Sequence, residues 1–92
     1  MATPHPDFHY IQALLENNNR AIAEIYTRFA GRIGRFVQAN NGTLDDARDV
    51  FQDALIAISR QAQRPAFILT CPFEAYLYCV CKGKWLNELK RR

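Results

Sequence analysis

The chain has 92 residues, 49% of them hydrophobic, three cysteines and a formal net charge of +3 at pH 7. That is one small domain, able to bury about 60–65% of the surface its unfolded chain exposes. It has no apolar run of the roughly eighteen residues a membrane span needs, and no basic start followed by an apolar stretch, so no membrane partner and a cytoplasmic home are expected.

Residues 1–7 read as a flexible tail and residues 8–92 as the folded unit. Phe8 to about Glu16 is a first short helix, with Phe8, Ile11, Leu14 and Leu15 on one side. Asn17-Asn18-Asn19 breaks it, and one of these asparagines should cap the next element. From about Arg20 to Ala39, Ile22, Ile25, Tyr26, Phe29, Ile33, Phe36 and Val37 step by three and four, a long amphipathic helix. Gly31-Arg32-Ile33-Gly34 spells the G-x-x-G of a nucleic-acid-binding loop of the KH type. The apolar period runs straight through it and no strands flank it, so close helix–helix approach is the expected reason for these glycines.

Asn40-Asn41-Gly42 ends that helix, Gly42 or an Asn supplying a left-handed residue. Thr43 then reads as an N-cap with Asp45 and Asp46 in the first turn. A third helix, about Leu44 to Gln61, is expected to pack through Leu44, Ala47, Val50, Phe51, Ala54 and Ile58. Asp46, Asp49 and Asp53 line one edge of it, with Gln52 beside them. Arg60 to Thr70 reads as a loop, with Pro65 stopping the helix before it and Phe67, Ile68 and Leu69 anchoring it.

The last helix is expected to start at Thr70 or Cys71 as cap, with Pro72 in the first turn and Glu74 near the positive end of the dipole. Phe73, Leu77, Val80 and Cys81 make the stripe that faces a core. Tyr78, Trp85 and Leu86 fall elsewhere on the wheel, interleaved with Lys82, Lys84, Lys90, Arg91 and Arg92. Aromatic rings among cations can stack bases while neutralising phosphates; a terminal helix with a solvated basic end is the other reading. Residues 82–92 hold five basic side chains against Glu88, and residues 43–54 hold four aspartates against Arg48. Opposite ends of the domain therefore suit opposite partners, one polyanionic and one basic.

Cys71, Cys79 and Cys81 have no zinc-ligand spacing. Cys79 and Cys81 lie about 200° apart on a helix, so they read as reduced apolar residues. His5 and His9 have no ligand cluster nearby in sequence and read as surface side chains. No Ser/His/Asp or Cys/His grouping, phosphate-cradling glycine loop or metal set appears, so neither an enzyme nor a cofactor is expected.

The segment Asp46-Ala47-Arg48-Asp49-Val50-Phe51-Gln52-Asp53-Ala54-Leu55 and the closing Phe73-Glu-Ala-Tyr-Leu-Tyr…Lys84-Trp-Leu-Asn-Glu-Leu-Lys-Arg together resemble conserved region 2 of bacterial σ factors. The likeness is to the compact extracytoplasmic-function group, from about Ile11 to Arg92. The family's acidic motif runs Asp-Ala-Glu-Asp-x-x-Gln-Glu-x-Phe; here Arg48 replaces its Glu and Leu55 holds the Phe position. In the last helix Tyr76-Leu77-Tyr78 stands for Trp-Leu-Tyr, and Gly83 stands where Asn is common.

The resemblance implies an all-α bundle of three long helices plus a short N-terminal one. It implies that Asp46, Asp49, Gln52, Asp53 and Leu55 dock on the clamp helices of RNA polymerase core. It further implies that Tyr76, Tyr78, Trp85 and Asn87, with the loop Gln61–Thr70, capture the non-template strand of the promoter minus-ten element, a base held out of the stack. Lys82, Lys84, Lys90 and Arg91 would then hold its phosphates. Such factors usually carry a second domain, region 4, for the upstream element; this chain stops where the linker to it would begin. The competing reading is a helical regulator that binds only protein, its aromatic face buried against a partner such as an anti-σ factor.

Overall fold

The computed structural model describes residues 5–92 as four helices and, among these residues, no strand: α1 (Phe8–Leu15), α2 (Asn19–Ala39), α3 (Leu44–Ala62) and α4 (Phe73–Arg91). This is the all-α arrangement of three long helices and a short one that the apolar periodicity predicts. None of the helices is long and apolar enough to cross a membrane.

The chain turns where its own side chains satisfy the helix ends. Asn17 takes a positive φ of 53° and Asn18 caps α2, its Oδ1 accepting the Ala21 N–H at 3.1 Å. Asn41, not Gly42, is the left-handed residue after α2, with φ 70°. Thr43 and Asp46 form a reciprocal capping box: Thr43 Oγ1 accepts the Asp46 N–H at 3.1 Å, and the Asp46 carboxylate accepts the Thr43 N–H at 2.9 Å. Two donors that the first turn leaves orphaned are thereby satisfied.

The start of α4 is different. Neither Thr70 nor Cys71 caps it; Pro72 precedes the first helical residue and no nearby side chain bonds the turn. Instead the Asp7 carboxylate accepts the Phe73 N–H at 2.9 Å, a remote negative charge at the positive end of the dipole. Of the expected tail, residues 1–4 lie outside the described residues. Residues 5–7 are held, since the Asp7 N–H also donates to His5 Nδ1 at 3.0 Å and Phe8 N–H to the His5 carbonyl.

α3 runs antiparallel to both its long neighbours. Its start lies against Gly34 of α2 and its middle brings Phe51 within 4.5 Å of the Tyr26 ring; Asp46 meets Arg92 at one end of α4 and Gln61 meets Tyr76 at the other. α2 and α4 run in the same direction, so that Arg32 meets Glu74, Phe36 meets Tyr78 and Asn40 meets Trp85 in turn. Ile11, Ile25, Ile33, Val37, Phe51, Ala54, Ile58, Phe73, Leu77, Cys81 and Trp85 fill the space between them. Tyr10 closes one end, its ring stacked 5.0 Å from Phe73.

Several packing expectations change. Leu44, expected in the core, is 64% exposed because it is the first residue of α3 beyond the cap. In the loop before α4, Leu69 is buried and Phe67 half-buried, while Ile68 stays exposed. The glycines of α2 do not mark a tight crossing: a Cβ on Gly31 or Gly34 would meet nothing closer than 3.5 Å. The glycine that allows close approach is Gly42, beneath the Trp85 ring.

Candidate nucleic-acid and protein interfaces

On α3, Asp49, Gln52 and Asp53 are exposed, and no ion pair engages either aspartate among the described residues. Asp46 is not equivalent to them. Its carboxylate is committed to the Thr43 backbone and to Arg92, which donates at 2.9 Å. The Thr43 hydrogen bond first and Arg92 second hold its carboxyl below the ordinary carboxylate range. Leu55, expected as an apolar contact for a partner, is only 6% exposed; it packs inward and forms the floor of a groove with Leu14, Ile22 and Tyr26. The apolar side chain that α3 presents beside Gln52 is Ile56, 52% exposed. Its place one turn after Gln52 was the available sign of this.

On α4, the stripe continues by steps of four through Phe73, Leu77, Cys81 and Trp85, all buried. Trp85 is therefore a core residue, not a surface ring for stacking bases. It is 1% exposed and its indole N–H donates to the Asn40 carbonyl at 3.1 Å. To stack on a base it would have to vacate the bundle, at a cost typical of large aromatic truncations, about 3–5 kcal/mol. Burial also pushes the Cys81 thiol up to about 12, which makes it inert as a nucleophile.

The two tyrosines stay half-exposed, on different flanks. Tyr78 leans on α2, edge-on to Phe36 at 5.4 Å and with the Arg32 guanidinium 4.4 Å above its ring. Tyr76 leans on the end of α3 and the loop, its hydroxyl donating to Gln61 Oε1 and its ring 6.0 Å from Phe67. Burial chiefly, with the Cys71 sulfur second, raises the Tyr76 hydroxyl pKa, so it remains a protonated donor. Phe67, Ile68, Leu69, Thr70, Cys71 and Tyr76 line a recess of about 150 Å³, and a separate depression of about 350 Å³, lined by Gln61, Arg64 and Ala66, shares Phe67 and Ile68 with it.

The cations of α4 divide in the same way. Lys82 is exposed one turn beyond Tyr78, and Lys90 is exposed near the C-terminal end. Lys84, Asn87 and Arg91 instead line a groove of about 350 Å³ together with Asp46, Asp49 and Asp53. Arg92 closes this groove, bonded to Asp46 and lying 5.0 Å from the Trp85 ring. The acidic and basic rows thus face each other across the α3–α4 groove and do not occupy opposite ends of the domain. A third set of charges escaped the sequence reading: Arg28, Arg32 and Arg35, all exposed on α2. Their i, i+4, i+7 spacing, within about 60° of arc, was the signal.

No protein-family model, curated protein or solved structure matches the chain.

Proposed function

We propose that this chain is the region 2 domain of a bacterial σ factor of the extracytoplasmic-function type, working in the cytoplasm as a binding module and not as a catalyst. In this reading α3 docks on the polymerase clamp through Asp49, Gln52, Asp53 and the neighbouring Ile56. The loop and α4 take one unstacked base of the minus-ten non-template strand. The observation that carries it is the recess at Phe67 and Tyr76. It is small, lined by the Phe67 and Tyr76 rings and by Leu69, with the Tyr76 phenol held in place on Gln61, and the depression that adjoins it at Phe67 and Ile68 carries the Arg64 cation. Those are the surroundings a flipped base requires: a ring to stack on, a fixed hydrogen-bonding edge and a nearby charge. The exposed carboxylates of Asp49 and Asp53 on the preceding helix support the docking half.

Capture of polymerase core on immobilised protein tests the docking half, with Asp49→Lys/Asp53→Lys expected to abolish it. With polymerase present, Phe67→Ala/Tyr76→Ala should weaken binding of labelled single-stranded minus-ten-like DNA by about 1–3 kcal/mol, the stacking contribution of one base, while leaving capture intact. No capture by the wild-type chain would remove this reading.

A protein-only module is the second reading. The observation in its favour is the apolar groove of about 450 Å³ between the end of α1, the start of α2 and α3, with Leu14, Ile22, Tyr26, Leu55 and Ile56 on its walls. A partner helix could lay an apolar face there.

A further inference from the structure

Two of the cations near the C-terminal end of the chain are poorly placed to carry a strand's phosphates. Lys84 and Arg91 share their groove with Asp46, Asp49 and Asp53, and Arg91 also approaches Glu88 at 3.9 Å. A polyanion entering there meets carboxylates at the same range as cations, and gains little. The opposite flank of α4 has another balance. α2 carries four arginines and one glutamate. Arg28, one turn before Arg32, donates to the Tyr10 hydroxyl, and Arg35 folds back over Gly31 with no ion pair among the described residues.

Arg32 is the fixed point of this face. One nitrogen donates to Glu74 at 2.7 Å while the guanidinium plane sits 4.4 Å over Tyr78. A guanidinium has five N–H donors, so Glu74 holds Arg32 in place without exhausting it. Because α2 and α4 run parallel, Lys82 follows Tyr78 along the same edge, level with the turn of α2 beyond Phe36.

We infer that a bound single strand runs its phosphates over the α2–α4 face, on Arg32, Arg35 and Lys82 around the Tyr78 ring, and not over Lys84 and Arg91. This rests on the nucleic-acid reading above and extends it. The strand leaves the Tyr76 recess on one flank of α4 and its backbone crosses to the other, where the planar Arg32–Tyr78 pair offers both charge and a stacking surface.

Fluorescence anisotropy with a labelled single-stranded oligonucleotide, polymerase core present, measured over a series of salt concentrations, distinguishes the two flanks. Arg35→Gln/Lys82→Gln should lower affinity and reduce the slope of log K against log salt by about 1.4, since each contact with a single strand contributes about 0.7. Lys84→Gln/Arg91→Gln should leave the slope unchanged. The reverse pattern, or equal losses in both variants, overturns the inference while leaving the nucleic-acid reading standing. If the wild-type complex fails to bind the oligonucleotide, both fall together. Circular dichroism of each variant checks that all of these exposed changes leave the fold intact.

Discussion

A Cβ at Gly42 would lie 2.3 Å from Val37 Cγ1 and 2.7 Å from Trp85 Cζ2, whereas one at Gly83 would meet nothing within 4 Å. Neither glycine has a positive φ, so the space around each decides the sign of an alanine substitution. At Gly42 the new methyl forces Val37 or the indole out of position. Both are fully buried, and the Trp85 N–H would lose its alignment on the Asn40 carbonyl. Gly42→Ala should cost about 1–3 kcal/mol, the range for overpacking. Gly83 lies exposed in the middle of α4, where glycine only adds backbone entropy to the unfolded chain. Gly83→Ala should stabilise by roughly 0.5–1 kcal/mol. Urea midpoints followed by far-UV circular dichroism measure both; shifts of the same sign would mean that Trp85 does not rest on Gly42.

Each of the long helices is fixed at its start by a carboxylate, hydroxyl or amide, and where that group comes from decides how readable the helix was. α2 and α3 carry their caps at Asn18 and Thr43, next to the turns they cap, and their boundaries could be read within a residue or two. The cap of α4 comes from Asp7, far off in the chain, and no local pattern reveals it. The burial of Trp85 is hidden from the sequence for a related reason. The buried stripe of α4 steps by four through to the indole, but Lys82 and Lys84 interrupt it, and the surface that receives the ring belongs to Asn40 and Gly42 at the end of another helix. The acidic row and the loop recess were legible because they lie within single segments; their surroundings were not, because the α3–α4 groove and the α2 edge are made by pairing. The capping box of α3 also sets an acid limit on stability. A carboxyl whose pKa is depressed by folding stabilises the native state above its unfolded value, about 3.9 for Asp, and that contribution disappears as pH falls through the lower folded value. Thermal midpoints measured from neutral pH down to about pH 2 should therefore fall more steeply for the wild type than for Asp46→Asn. Parallel curves would show that the Thr43 and Arg92 bonds to Asp46 contribute nothing net.

Across the whole molecule the small net charge conceals two separate arrangements. In the α3–α4 groove, cations and carboxylates confront each other and largely cancel; on the α2–α4 edge, arginine and lysine outnumber acid. Exposed charges interact over roughly 8 Å at physiological ionic strength, so a large anion senses these faces separately and not their sum. Removing the groove's carboxylates should expose what they mask. Asp49→Asn/Asp53→Asn is expected to elute from immobilised heparin at higher salt than Glu16→Gln/Asp45→Asn, which makes the same change in net charge away from Lys84 and Arg91. Adding Lys84→Gln/Arg91→Gln to the first variant restores the starting net charge and should return its elution to that of the wild type, because the unmasked cations are then gone. Equal shifts in the two neutralised proteins would mean that heparin responds only to total charge, and that the aspartates of α3 leave the cations of α4 free.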